Sequence, residues 1–504
     1  MFKKILIANR GEIAVRVMRT CLDMGIRSVA VYSEADATAL HARYADEAYC
    51  IGPAPAAQSY LNAAKIIEMA KACGAEAIHP GYGFLSEQAE FARACAAAGI
   101  VFIGPSPEAL HMLGDKVEAR VIADRAGAAS VPGSDGRVSP AEALDLAPKI
   151  GYPLLIKAAA GGGGKGIRLV EEPSALEPAL RMAATEAQAS FGDDGIYLER
   201  YLDPVRHIEV QILADRFGNV VHLGERECSI QRRSQKLVEE SPSVAVSPEQ
   251  RRQLGAAAVA VARESGYTNA GTVEFLLDGR GDFYFIEANA RLQVEHPVTE
   301  LVTGLDLVEQ QLRIAAGEPL SFTQDDVQIR GCAIECRITA EDADNGFLPS
   351  LGRIEHVSEP SGPGVRVDSS LFDGMEVGPH YDSLVAKLCV WGADRTQMLA
   401  RLRRALDEYQ VLGVKTTLPF HRALADEPAF VAGEIFTRYL DRRGEPELSP
   451  ATGGDEALLI AALLSHARRG GGQSNGAAPR SGWKTAGREA ALNRYGGDSW
   501  RNTF

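Results

Sequence analysis

The chain has 504 residues, 46% of them hydrophobic and 24% charged, and a formal net charge of −14 at pH 7. That length predicts about two to four domains with cores of their own. The acidic balance argues against a nucleic-acid binder, and no apolar run is long enough to span a bilayer. The eight cysteines include no CxxC pair, and Cys332 and Cys336 fall on the apolar face of a strand pattern. These features predict buried, reduced thiols and a cytoplasmic protein. The first apolar stretch, Ile5 to Ala8, is too short for the core of a secretory leader.

The chain opens with a strand over Lys3–Ala8 that turns into a helix with Ile13, Val17 and Cys21 on one stripe. Further strands are expected at Ser28–Tyr32, Ala75–His79 and Ile100–Ile103, with helical stretches between them, which predicts a parallel doubly wound sheet. No GxGxxG turn is present, so a dinucleotide role is poorly supported. The loop HPGYGFLSE (79–87) sits at the carboxyl end of a strand, where open α/β sheets bind ligands. Ser86 is the expected N-cap of the next helix. Tyr82, between two glycines, reads first as an exposed ring on an ordinary turn, or else as a cover for a ligand. Ser106-Pro107 opens another helix, and Gly114-Asp115-Lys116 reads as the join to a second domain.

Tyr152–Lys157 predicts a strand, followed by four consecutive glycines in 161–164, Lys165, Gly166 and a second strand at Ile167–Val170. Successive glycines let backbone N–H groups approach phosphate oxygens. No Ser or Thr follows the lysine and a strand comes next, so this is not a Walker A loop. It reads as a hairpin flap whose tip closes over a polyphosphate, with Lys157 entering from the stem. Ile196–Leu202 gives another strand, and His207, Glu209 and Gln211 alternate onto one face of the next. For His207 alone a structural hydrogen bond is the expected role. The dense charge of Glu225–Lys236 reads as a solvated face, or as a site where Arg232, Arg233 and Lys236 bind a small anion.

The most informative stretch is DFYFIEANARLQVEHPVT (282–299). It begins as a strand, and Glu287, Asn289, Arg291, Gln293 and Glu295 then occupy every second position, one face of the chain if the backbone stays extended. The preceding strand, Thr272–Leu277, joins it through the turn Asp278–Gly281 and places Glu274 diagonally near Glu287. Two carboxylates on one face repel unless a cation lies between them. The pattern therefore predicts a hard divalent metal held by Glu274, Glu287 and the Asn289 amide, in a metal–nucleotide site. Beyond it, Gly331–Ile338 is a strand with Cys332, Ile334, Cys336 and Ile338 facing a core and Glu335 and Arg337 opposite, by default a surface pair. Regular elements continue to about Arg443, followed by the linker Arg469–Gly476 and a tail with Trp483 and Trp500, expected to be poorly ordered alone or ordered on a partner.

Taken together, NRGEIA (9–14), HPGYGFLSE (79–87), GDK (114–116), the glycine flap, ERECSIQRR (225–233) and EANARLQVEHPVTE (287–300) closely resemble the biotin carboxylase family of ATP-grasp ligases, over about residues 1–445. The resemblance implies an N-terminal domain at 1–114, an ATP-grasp domain at 115–328 with a flap lobe near 131–201, a mixed C-terminal domain at 329–445, and a linker and tail at 446–504. It implies that ATP activates bicarbonate as carboxyphosphate and that the carboxyl group passes to a ureido nitrogen of biotin. Position by position, it assigns ATP to Lys116, Lys157, Gly162, Gly163, Gly164, Lys165, Gly166, Glu199, Leu202, His207, Gln231 and Leu276. It assigns Mg²⁺ or Mn²⁺ to Glu274, Glu287 and Asn289, and bicarbonate to Lys236, Arg291, Gln293, Val294 and Glu295. Biotin falls to Tyr82 and Arg337. Glu295 is then the general base, Arg291 and Lys236 offset negative charge, and Arg337 stabilises an enolate-like ureido oxygen.

Ser234, Ala288 and Ala160 depart from residues common in the family, and none removes a catalytic group. The sequence contains no Ala-Met-Lys-Met biotin acceptor, so the biotin carrier and the carboxyltransferase are expected on other chains, in an acyl-CoA carboxylase of the acetyl- or propionyl-CoA type or in a pyruvate carboxylase. A homodimer is expected from the family, and the tail is a candidate docking segment. Rival readings are another ATP-grasp carboxylate–amine ligase and a non-catalytic scaffold, the second disfavoured by Lys236, Arg291, Glu295 and Arg337.

Overall fold

The computed structural model describes residues 1–134, 136–158, 167–191 and 195–443. The expected phosphate loop Gly162–Gly166 with Lys165, the departure at Ala160 and the tail at 446–504 lie outside the described residues.

Five strands, β1 (Lys4–Ile7), β2 (Arg27–Ser33), β3 (Glu47–Gly52), β4 (Ala77–His79) and β5 (Val101–Phe102), form a parallel sheet in the order β3-β2-β1-β4-β5. This is the doubly wound arrangement expected, plus one strand that periodicity missed. β3 is an edge strand whose residues are mostly half-buried, so it lacks the apolar run that marks a central parallel strand. The helix Gly11–Asp23 buries Ile13, Val17 and Cys21 as the stripe required. Ser86 is not an N-cap: the helix after the loop starts at Ala89 behind Gln88, and the Ser86 hydroxyl is buried within the loop. Ser106 does cap Pro107–Gly114, accepting from the Ala109 N–H, and Asp115 caps the helix that begins at Lys116, accepting from Val117 and Glu118.

The flap is a three-stranded antiparallel sheet in which β6 (Leu154–Ala158) lies between β7 (Ile167–Val170) and β8 (Ile196–Arg200). The main sheet has eight antiparallel strands. It contains β9 (Val205–Ala214), β10 (Val220–Arg232), β11 (Gln235–Ser241), β12 (Asn269–Asp278), β13 (Phe283–Asn289), β14 (Cys332–Thr339), β15 (Val365–Ser369) and β16 (Leu384–Gly392), in the order β13-β12-β9-β10-β11-β14-β16-β15. β11 pairs with β14, Val238 opposite Cys336, so the sheet runs without a break from the expected ATP-grasp segment into the C-terminal one.

Three expectations change inside this sheet. The charged run Glu225–Lys236 is a solvated face only at its exposed turn, 233–235; its first part is buried. Glu225–Arg232 belongs to β10, a central strand packed between the helices Pro248–Glu264 and His296–Thr303. The charges of Glu225–Glu227 are buried and alternately paired, while Arg232 is half-buried and Arg233 exposed: Glu225 takes a bidentate grip from Arg251, Glu227 meets Arg206 and Ser243, and Arg226 turns the other way to Glu209, Gln211, Thr272 and Thr299. The polar alternation from Glu287 stays extended only to Asn289; a turn carries residues 290–295, and Pro297 occupies the first turn of the helix His296–Thr303, where its missing N–H costs nothing. Glu274 and Glu287 are directly opposite rather than diagonal, because the extra residue Ile286 forms a bulge that advances the register by one.

Candidate active site

β9, β10, β11, β12, β13 and β14 turn one face toward a cavity of about 960 Å³, closed by the N-terminal loop at Tyr82 and by the flap strands. Every described residue assigned above to a ligand lines it except Glu295: Tyr82, Lys116, Lys157, Glu199, Leu202, His207, Gln231, Lys236, Glu274, Leu276, Glu287, Asn289, Arg291, Gln293, Val294 and Arg337. Glu295 sits behind this wall with 0% of its surface exposed.

At the flap end, Lys157 on β6 contacts Glu199 on the neighbouring β8, and Arg120 lies 3.3 Å from the same carboxylate. Lys116 approaches Glu287 at 3.9 Å. Leu202 and Leu276 supply apolar wall, and Gln231 and His207 join across 2.8 Å. His207 also places Nε2 2.7 Å from Glu274, so it is bonded as expected and nonetheless lies in the cavity wall. Ser234 lines the cavity from the two-residue turn between β10 and β11, where it and Arg233 both have positive φ (64° and 50°), the geometry of a tight hairpin turn.

The centre is a set of carboxylates around one lysine. Lys236 Nζ lies 2.6 Å from Glu209, 3.0 Å from Glu274 and 2.7 Å from Glu295. Burial alone would raise the Glu274 carboxyl, but Lys236 and His207 outweigh it and hold the group well below the usual range. Glu287 goes the other way, raised by desolvation and by the negative charge of Glu274 opposite. Glu287 is thus a hard oxygen donor whose charge the neighbouring cations do not offset, and it faces the cavity beside Glu274. The Asn289 amide bonds Glu274 at 2.8 Å beside them. The donor set fits a hard divalent cation.

At the far end Arg291 bonds Glu87 at 2.9 Å, Gln293 at 2.9 Å and Asn289 at 3.2 Å. Arg337 is clamped between Glu239 at 2.7 Å and Glu295 at 3.0 Å. Burial pushes Glu295 up, but Lys236, Arg337 and Arg226 together hold its carboxyl well below the ordinary range. The expected Glu335–Arg337 surface pair does not exist: helix His296–Thr303 covers that face of β14, and Glu335 is buried and accepts from the Cys389 thiol at 3.4 Å. Of the three cations considered for an anion site, only Lys236 lines the cavity. Arg232 instead stacks 4.4 Å over Phe347 and donates to the Gly346 carbonyl, and Arg233 forms the turn. Tyr82 is half-buried rather than exposed, its hydroxyl donating to Glu12.

Sequence reasoning missed Glu12, Glu87, Glu239 and Lys387 as neighbours of this site. One of them had a signal. Lys387 stands alone in the apolar run Leu384-Val385-Ala386-Lys387-Leu388-Cys389-Val390, and a lone charge in a central strand has to find a buried partner. The carboxylates carried no local mark, since each reaches the site through tertiary contact.

Comparison with known proteins gives the same arrangement a lineage. Residues 1–110 match the model of the biotin carboxylase N-terminal domain, 115–323 that of the ATP-binding domain of the carbamoyl-phosphate synthase L chain, and 335–442 that of the biotin carboxylase C-terminal domain. The biotin carboxylase of Nostoc sp. is 54% identical over 440 residues, which cover 87% of this chain and 98% of that one. The chain belongs to the biotin carboxylase family. Biotin carboxylases are ATP-dependent ligases, and this chain is one of them. A pyruvate carboxylase subunit of Methanothermobacter thermautotrophicus is also 54% identical, over 447 residues, covering 88% of this chain and 91% of the relative. Among solved structures, the biotin carboxylase domain dimer of Hydrogenobacter thermophilus 2-oxoglutarate carboxylase, in complex with MgADP, ADP and bicarbonate, superposes with a TM-score of 0.85 at 50% identity, covering 88% of this chain and 98% of that one. Among the described residues, no helix is long and apolar enough to cross a membrane.

Proposed function

We propose that this biotin carboxylase carboxylates biotin borne on a separate carrier protein, with bicarbonate as carboxyl source and ATP as energy source, and that the cavity residues divide the work. Residues 1–114, 115–328 and 329–445 act as N-terminal, ATP-grasp and C-terminal domains. Lys116, Lys157, Glu199, Leu202, His207, Gln231 and Leu276 hold the nucleotide, together with the glycine run 162–166. A divalent cation held by Glu274, Glu287 and Asn289 would neutralise charge on the transferring phosphate. Lys236, Arg291, Gln293 and Val294 receive bicarbonate beside Glu295.

The observation that carries this reading is Glu295, wholly removed from water yet kept ionised by Lys236 and Arg337. A carboxylate in that state is ready to take a proton, but its cations make it a weak base. An incoming anion competes for Lys236 and Arg337, and each contact it wins releases basicity at Glu295. The substrate thus strengthens the base that acts on it. Arg337, on the wall shared with Tyr82, is then placed to stabilise oxyanion character on the ureido group.

The near-complete match to relatives that contain little beyond this segment supports a division of labour in which carrier and carboxyltransferase are other chains. The place of action is the cytoplasm, and the dimeric domain of Hydrogenobacter thermophilus supports a homodimer. The acyl acceptor is an acyl-CoA, acetyl- or propionyl-CoA, with pyruvate the second candidate on the strength of the pyruvate carboxylase relative. The test is ADP release from ATP, Mg²⁺ and bicarbonate, with and without free biotin. Biotin stimulation that a Glu295→Gln variant loses by about 10²–10⁴-fold supports the reading. Amine-stimulated, biotin-independent turnover sinks it.

A further inference from the structure

The turn bearing Gln293, Val294 and Glu295 lies between the end of β13 and the helix at His296, and buried side chains hold two of its consecutive carbonyls. The His296 ring meets the Gln293 carbonyl at 2.8 Å through Nδ1. Lys387 Nζ donates to the Val294 carbonyl at 2.9 Å. Lys387 comes from the middle of β16, where its neighbours along the strand are apolar, and 0% of its side chain is exposed. Glu12, from the N-terminal helix, lies 3.3 Å from the ammonium, and Asp368, from β15, lies 3.9 Å away. Arg337 stands directly across the ladder, and the Tyr82 ring is 5.9 Å from the ammonium.

Burying a lysine at the centre of a sheet is costly, and an apolar side chain would fill the same space more cheaply. The geometry shows what the charge does. It holds a main-chain carbonyl one residue before Glu295, and that peptide sets the direction in which the Glu295 side chain leaves the turn. The cation is in turn held by Glu12, whose other oxygen accepts the Tyr82 hydroxyl. One buried ion pair therefore touches both the turn where bicarbonate is assigned and the ring where biotin is assigned.

We propose that Lys387 is a positioning residue: through the Val294 carbonyl it presents the Gln293–Glu295 turn to bicarbonate, and through Glu12 it ties that turn to Tyr82. This rests on the ligand assignments proposed above. The nucleotide end, around Lys157 and Glu199, is built from other strands and does not depend on it.

The test compares wild type with Lys387→Met in bicarbonate-dependent ATP cleavage, together with a crystal structure of the variant. The expected result is a KM for bicarbonate raised about tenfold or more, a KM for ATP within twofold of wild type, and a Val294 carbonyl turned from its place. A role in stability alone would lower the active fraction, and so kcat, leaving both KM values where they were; that result, or an unmoved turn, overturns the proposal. Should Lys387→Met fail to fold, the double variant Glu12→Gln/Lys387→Met removes both halves of the ion pair and is read in the same way. Absence of bicarbonate-dependent cleavage in wild type would instead count against the proposed function, and the position of the Val294 carbonyl in the variant would still decide the anchor.

Discussion

Glu295 and Glu12 are both buried, each lies beside a lysine, and they finish on opposite sides of the ordinary carboxylate range. Glu295 is held well below it, and Glu12 is pushed up to about 7. Burial raises both. The difference is the number of cations set against it: Glu295 has Lys236, Arg337 and Arg226, whereas Glu12 has Lys387 close by and Arg366 farther off, with Asp368 adding negative charge. A single buried lysine shared with a second carboxylate does not offset desolvation, and three cations do. The region proposed to act on bicarbonate keeps a charged carboxylate, while Glu12, beside the lysine proposed to hold the turn, titrates near pH 7.

Breaking the first half of this comparison gives the largest effect on stability. Arg337→Met leaves Glu239 and Glu295 facing each other without their shared cation, and should cost about 3–5 kcal/mol in denaturant unfolding at neutral pH. The same loss should shrink as pH falls below the ordinary carboxylate range, where Glu295 takes up a proton. Its depressed pKa makes its contribution present above about 4.5 and lost below it.

Glu12 has the opposite sign. Its folded pKa near 7 exceeds the usual 4.5, so between those values the native state binds more protons than the unfolded chain, and stability falls as pH rises. Glu12→Gln removes that dependence. Relative to wild type, the variant should gain about 3 kcal/mol as pH goes from 4.5 to 7, since each tenfold change in a proton-binding constant is worth roughly 1.4 kcal/mol, and the gap should then stay level. Unfolding curves at four or five pH values would show it; parallel curves would mean that Glu12 is already ionised. The smallest effect sharpens the same point. Tyr82→Phe removes one donor to Glu12 and should cost about 1 kcal/mol, more above pH 7 than below, because the hydroxyl bonds the charged form more strongly.

Much of this molecule was legible in the residues. The N-terminal helix stripe, the helix start at Ser106-Pro107, the flap hairpin and the shared face of Glu274 and Glu287 all follow from periodicity and local chemistry, which act within a few residues. The failures were non-local. Glu225, Arg226 and Glu227, within the run Glu225–Lys236, read as surface because charge normally stays in water, and nothing near them in sequence announces Arg251, Arg206 or Thr299 as partners. Arg337 and Glu335 read as an exposed pair because the helix that covers β14 lies about forty residues earlier in the chain. The bulge at Ile286 escaped because one extra residue in a strand leaves the apolar pattern on either side intact.

By itself the sequence determined which side chains are available and that Glu274, Glu287 and Asn289 share one face of a strand hairpin, since strand geometry depends only on neighbours along the chain. The tertiary structure alone decided their charge states and company: that Lys236 gathers Glu209, Glu274 and Glu295, that Arg337 is shared by two carboxylates, and that Lys387 reaches back to the Val294 carbonyl. The reason is physical. Desolvation and Coulomb interaction depend on distance through space, and the fold brings Glu209 and Glu295, far apart in the chain, each within 3 Å of the one Lys236 ammonium.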